Sequence, residues 1–269
     1  MIDTHAHLYW DSYKDDLDQV IQRALDAGVN TIINVGVDVE LSKKALAQVT
    51  GTLANITTLK AYSTIGLHPH EALRAKPRDI KKLEQIYHSA PDKVVAIGEC
   101  GLDYVGVTDQ QKKLQRQLFQ TQIDLAKKLN LPLIVHCRDD RSKNPNNTEA
   151  WDEVLKMINN HPAILHCYSG LSPTTNYILQ TTHLLVSFAA TITYPKNEYL
   201  REAAKILPLE KICLETDCPF LPPQSKRGQR NEPANILEIA QLIADLKEVS
   251  LEAVAQQTIK NVKIMFNLK

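Results

Sequence analysis

The chain carries no surplus of charge: 31 Lys and Arg stand against 31 Asp and Glu, a formal net charge of zero over 269 residues. Proteins that clamp nucleic acid along a track of phosphates show a basic excess, so any nucleic-acid contact is expected to be local and brief. No apolar run approaches the roughly 18 residues that cross a bilayer, so no membrane partner is expected. The N-terminal segment also lacks the basic-then-apolar order of an export signal. The five cysteines (Cys100, Cys137, Cys167, Cys213, Cys218) are odd in number and form no CxxC pair. That argues against a disulfide framework and for a reducing, cytoplasmic setting. Low-complexity tracts and internal repeats are missing too. What remains is an ordinary globular composition, 43% hydrophobic and 23% charged, long enough for one large α/β barrel or two ordinary domains.

Short β-rich segments recur at 1–4, 31–36, 63–66, 94–99, 133–137, 163–167, 184–189 and 211–217, with helical patterns between them. In "YKDDLDQVIQRALDAG", Leu17, Val20, Ile21, Ala24 and Leu25 fall on one face and Gly28 ends the run. The strands read as continuous apolar runs ("TIINVG", "VVAIGE", "PLIVHC"), as parallel strands buried on both faces do. Eight such units predict a single-domain TIM (β/α)8 barrel over 1–269, with a doubly wound open sheet as the competitor. The polar residues favour the barrel. Glu99, His136, His166 and Asp217 sit at or near strand ends, and only a barrel gathers such ends around one axis. The C-terminal pattern "LEAVAQQTIKNVKIMFN" is expected to pack on the barrel.

Chemistry begins at "MIDTHAH". Residues i and i+2 of a strand share a face, so His5 and His7 can reach one ion, with Asp3 on the same face able to fix a ring tautomer. Glu99 closes an apolar strand where an unpaired carboxylate is costly, and "AIGECGLDY" offers no Lys or Arg to neutralise it. A cation would. Together, His5, His7, Glu99, His136, His166 and Asp217 form an N/O ligand set that suits two divalent cations, Mg, Mn or Zn. The expected split puts His5, His7 and Asp217 on one ion, His136 and His166 on the other, and Glu99 across both. Asp217 is the candidate to take a proton from an attacking water, and the reaction class is metal-assisted hydrolysis. Strand alternation turns Cys137 and Cys167 outward, away from the ligands.

Seven motifs then appear in order: "DTHAHL" at 3–8, "GLHPH" at 66–70, "AIGECGLDY" at 96–104, "LPLIVHCRD" at 131–139, "LHCYSG" at 165–170, "ETDCPFLPP" at 215–223 and "RGQRNEP" at 227–233. With these the chain resembles the TatD family of metal-dependent hydrolases, an amidohydrolase-like branch of the barrels. The resemblance implies a deoxyribonuclease that removes nucleotides from DNA ends through the six ligands named above. It also implies that His68 faces the reaction centre, contacting phosphate or the attacking water. His70 is expected to stabilise its loop. Arg138, Arg227, Arg230 and Asn231 are expected to approach phosphate or the leaving nucleotide, and Tyr104 to stack on a base or cap its strand. Asp140 departs from the family pattern and places an extra negative charge near a phosphate-binding position.

The leading expectation is therefore a 3′→5′ exodeoxyribonuclease, a monomer working transiently on single-stranded or frayed DNA. An ester or amide hydrolase, such as a deacylase of aminoacyl-tRNA, keeps the same ligands but changes the bond. The arginines favour phosphate, and the fourth strand offers Glu99 where a carboxylated Lys would mark the amidase branch. A barrel without chemistry would be expected to have lost some of these ligands.

Overall fold

The computed structural model describes residues 1–268. Eight strands pair in chain order, every neighbour parallel. They are β1 (Ile2–Ala6), β2 (Thr31–Asn34), β3 (Lys60–Ile65), β4 (Val94–Asp103), β5 (Leu133–Arg138), β6 (Ala163–Leu165), β7 (Leu184–Phe188) and β8 (Ile212–Leu214). The sheet closes where β1 meets the chain after β8: Asp217 N–H donates to the His5 carbonyl at 2.8 Å, and His7 N–H to the Cys218 carbonyl at 2.9 Å. This is the TIM barrel that the sequence predicts. Its closing bonds run through His5, His7 and Asp217, three of the candidate ligands.

Helices α1 (Leu17–Asp26), α2 (Val39–Thr50), α3 (Pro77–Ser89), α4 (Asp109–Leu129), α5 (Glu149–Ile158), α6 (Ser172–Leu179), α7 (Glu198–Ile206), α8 (Ile236–Lys247) and α9 (Leu251–Met265) sheathe the strands. Their ends follow local chemistry. Asp38 caps α2 by accepting Leu41 N–H, and Thr108 and Gln111 form a reciprocal capping box on α4. Each such cap stabilises its helix by about 1 kcal/mol. In α1 the face that buries is Val20, Ile21 and Ala24, and Gly28 turns the chain at φ 78°.

Alternation along the strands divides the apolar residues into two cores. Ile33, Ile134, Ile164, Leu185 and Cys213 cluster together with Val262 and Phe266 at the C-terminal end of the chain. Their strand neighbours Ile32, Leu133, Val135, Val186, Ile212 and Leu214 belong to the layer under the helices. No helix of the described residues is long and apolar enough to cross a membrane.

Some strand bounds differ from expectation, and the differences matter for the site. β4 does not stop at Glu99 but runs four residues further, to Asp103, with its register shifted between Ile97 and Cys100. Gly101 makes this passage possible: its φ is +136°, and a Cβ there would stand 2.0 Å from the His136 carbonyl oxygen. Only glycine tolerates both conditions. β6 and β8 are shorter than predicted, so His166 and Asp217 lie on the turns just beyond their strands. Asp217 and Cys167 there take left-handed backbone angles, φ 57° and 42°, a conformation rare outside glycine that gathers at functional sites.

Candidate metal centre

The strand ends deliver their polar side chains into one cavity of about 770 Å³ at the barrel mouth. His5 is fully buried, and His7, Glu99 and His166 are nearly so. Around Glu99 Oε2 stand His5 Nε2 at 3.4 Å, with His7 Nε2 3.2 Å from His5 and Asp217 Oδ1 3.4 Å from His7 and 3.7 Å from His5. Around Glu99 Oε1 stand His136 Nδ1 at 2.9 Å, His166 Nε2 at 3.0 Å and His68 Nε2 at 3.5 Å. The structure thus brings all six candidate ligands together, and His68 with them. Glu99 gives one carboxylate oxygen to each group.

Tautomers test whether these residues fit a cation. His7 Nδ1–H donates to the Val35 carbonyl at 2.9 Å, and His166 Nδ1–H to Glu215 Oε1 at 3.1 Å. His136 Nε2–H donates to Asp103 Oδ2 at 3.1 Å. In the neutral form of each ring a proton on the outer nitrogen would leave the inner nitrogen turning a lone pair towards carboxylate oxygens. Lone pairs facing lone pairs in a buried space repel unless positive charge lies between them. An ion with ligands at about 2.0–2.1 Å sets neighbouring ligand atoms about 2.9–3.4 Å apart, from octahedral to tetrahedral packing. Most of the spacings above fall within or close to that span. His5, His7 and Glu99 form one set of potential ligands, and His68, Glu99 and His136 another.

The protonation preferences of the metal-free chain tell the same story. Burial opposes a charge on Glu99, yet His166 and His68, with hydrogen bonds from His136 and His166, hold its carboxyl well below the usual range. Burial likewise opposes protonation of His166, but Glu99 and Glu215 raise it well above an ordinary imidazole. His136 is raised against burial by Asp103 and Glu99, and His7 by Asp217. Burial and neighbouring His166 push His5 down, and burial takes His68 down to about 3. A proton on these imidazoles and a cation would compete for the same nitrogens.

Several residues stand elsewhere than the sequence suggested. Tyr104 is 1% exposed and its hydroxyl donates to Glu153, with Arg116 beside it; it cannot stack on a base in this position. Arg230 pairs with Asp16 through two nitrogens, at 2.8 and 2.6 Å, and lies 4.5 Å over the Tyr13 ring. Arg227 lies 4.7 Å over Tyr194. Neither arginine lines the cavity. Asn231 is fully buried and binds the carbonyls of Thr216, Phe220 and Leu221, so it clamps the loop after β8 instead of meeting solvent. Arg138 does line the mouth. Asp3 holds no ring N–H; its carboxylate accepts from Thr216 N–H, Thr216 hydroxyl and His5 N–H, tying β1 to the chain after β8. Asp140 accepts Ser142 N–H in its own turn and does not border the cavity. Cys137 packs in the outer layer yet also borders the cavity, as does Cys167, past the end of its strand.

Sequence reasoning missed the partners of the imidazoles. The sequence hides Asp103 because the apolar run of β4 closes at Glu99; four residues on, Asp103 shares the face of Glu99 and receives His136, with the exposed His70 3.3 Å away. Glu215 stands two residues before Asp217 and is fully buried with one oxygen lacking a partner. The signal for it was the doubled acid in "ETD".

Comparison with known proteins gives concordant results. A family model described as TatD related DNase matches residues 2–267. The uncharacterized metal-dependent hydrolase YabD of Bacillus subtilis (strain 168) is 34% identical over 273 residues, covering 100% of this chain and 99% of that protein. The 3′-5′ ssDNA/RNA exonuclease TatD of Erwinia tasmaniensis is 31% identical, with 100% of both chains covered. Among solved structures, YjjV, a TatD homologue from Escherichia coli K12, superposes with a TM-score of 0.87 at 28% identity, covering 100% of this chain and 98% of that one.

Proposed function

This chain belongs to the TatD related DNase family, and we propose that it is a 3′→5′ exodeoxyribonuclease using two divalent cations, Mg, Mn or Zn. The observation that carries the proposal is the division of Glu99: one oxygen among His5, His7 and Asp217, the other among His136, His166 and His68. His5, His7 and Asp217 would hold one ion, His136 and His166 the other, with Glu99 between them. Bound there, such a pair supplies positive charge that activates a water and stabilises a phosphoryl transition state.

The chain's own residues do the rest. Asp217, with its side chain 14% exposed, would accept the proton of the attacking water as oxygen bonds to phosphorus and the P–O3′ bond breaks, and return that proton to the departing O3′. Asp103 and Glu215 hold the outer N–H groups of His136 and His166 and so keep their inner lone pairs aimed. His68, kept neutral by burial, borders the same cavity and offers a hydrogen bond to water or phosphate. Arg138 stands at the mouth as a fork for phosphate oxygens. We take the unit to be the whole chain, 1–269, working as a cytoplasmic monomer on single-stranded or frayed DNA ends. Relatives named as ssDNA/RNA exonucleases support that substrate class.

A second reading, hydrolysis of an ester such as that of aminoacyl-tRNA, gains from Arg227 and Arg230 lying away from the cavity, which removes two of the three arginines that favoured phosphate. The experiment offers the metal-loaded protein 5′-labelled single-stranded DNA and, separately, aminoacyl-tRNA. Stepwise shortening from the 3′ end supports the proposal. Deacylation without DNA cleavage replaces it with the second reading.

A further inference from the structure

Two large aromatic side chains stand in water at the rim. Trp10, on the loop after β1, is 39% exposed, and Phe220, on the loop after β8, is 45% exposed. Both border the cavity. Exposed aromatic surface of this size is unfavourable in water and marks recognition sites when it adjoins a pocket. The rings meet at 84° with centroids 5.6 Å apart, forming a corner. Phe220 in turn stands 6.0 Å from the ring of His7. The corner therefore begins one ring away from the proposed ligands.

Neither ring is loosely tethered. Trp10 N–H donates to the His7 carbonyl at 3.2 Å, and Phe220 N–H to the Asp217 carbonyl at 3.0 Å. Asn231 holds the Phe220 carbonyl at 2.7 Å. Each aromatic is thus fastened by its own backbone to a ligand residue or its clamp, which lowers the entropy lost on binding. Across the mouth the chemistry changes. Arg138, on β5, lies half the barrel away from β1 in the strand order, and it is the lone Lys or Arg lining the cavity among the described residues. A substrate seated over Glu99 meets a cationic fork on one side and a flat apolar corner on the other. A nucleotide has that polarity: phosphate at one end, aromatic base at the other.

We propose that Trp10 and Phe220 form a stacking subsite for the nucleobase next to the scissile phosphate, so that the chain holds its substrate by one stacked base and one arginine instead of a basic track. This rests on the nuclease reading above for the identity of the bond cut. It follows that recognition is indifferent to base identity, since every base has a π-face, and requires an unpaired end whose base is free to leave its stack. Duplex DNA with blunt, stable ends is a poor substrate on this account.

The test has two readouts. Trp10 and Trp151 are the two tryptophans of the chain, and Trp151 is fully buried. A single-stranded oligothymidylate with cleavage-resistant phosphorothioate terminal linkages should quench the fluorescence of the metal-loaded protein saturably. Trp10→Ala should abolish that quench, and Phe220→Ala should shift its midpoint about tenfold. In steady state on ordinary oligothymidylate, each alanine variant should raise KM about tenfold, with Trp10→Phe and Phe220→Tyr recovering most of the loss. On an oligonucleotide lacking the terminal base the penalty should shrink to under about twofold. Absence of quenching in the parent protein, an unchanged KM in both variants, or an equal penalty on the base-free substrate would each overturn the subsite. Quenching without cleavage of any oligonucleotide would leave the subsite standing and bring down the nuclease reading; cleavage independent of Trp10 and Phe220 would do the reverse.

Discussion

Replacing Asn231 with alanine separates a structural residue from a substrate-binding one. The side-chain amide donates to the Thr216 carbonyl at 2.8 Å, to Phe220 at 2.7 Å and to Leu221 at 3.3 Å. Its oxygen accepts Glu232 N–H at 3.0 Å and Asn235 Nδ2–H at 2.8 Å. Alanine leaves the buried Thr216 carbonyl and the partly buried Phe220 carbonyl without this donor. At about 1–3 kcal/mol for each orphaned group, with a smaller loss on the acceptor side, the substitution costs about 4 kcal/mol. For a chain of this size that lowers Tm by about 8–15 °C. The assay is thermal unfolding of the metal-loaded protein, followed by steady-state kinetics well below the new Tm. We expect the melting loss, with kcat reduced because the loop carrying Asp217 and Phe220 is loosened. A Tm within about 2 °C of the parent, together with a several-fold rise in KM, would refute the clamp and restore Asn231 as a substrate contact.

Two further outcomes follow from the second layer of contacts. Asp103→Asn keeps shape but gives His136 Nε2–H a weaker acceptor; metal affinity should fall about 10–100-fold, measured by competition with a chelating dye, while Tyr104→Phe should leave it unchanged. The imidazoles also set a pH dependence. In the metal-free chain His7, His136 and His166 are raised above ordinary values, so their protonation stabilises the fold below the unfolded value and that contribution is lost as pH rises through the folded one. Cations need the same nitrogens bare, so uptake releases protons. The gain in Tm on adding Mn²⁺ should therefore be larger at about pH 8 than at about pH 6, and a gain that shrinks with rising pH would contradict this.

How far the sequence announces this molecule depends on the range of the forces involved. Strand–helix alternation is written locally in hydrophobic period, so the barrel was legible, and so was the gathering of polar residues at its mouth, because such residues at the ends of apolar runs have no other cheap explanation. Asp103 was not, since β4 continues past Glu99 only through the left-handed backbone of Gly101. The arginines were misplaced for a related reason. Arg230 is captured by Asp16 and Arg227 by the face of Tyr194, contacts made across the fold that no spacing reveals. Trp10 escaped notice because a lone aromatic beside a histidine pair says nothing until Phe220, more than two hundred residues away, is placed against it.

The proposed function depends on Glu99, which would hold two cations with one carboxylate oxygen turned to each group of histidines. Counting metal in the purified protein by element-resolved mass spectrometry tests it most directly, with the parent chain beside Glu99→Ala and a circular dichroism spectrum to confirm that the variant is folded. The account predicts about two divalent ions per parent chain and the loss of both from the folded variant. A folded Glu99→Ala protein that retains both ions would contradict it.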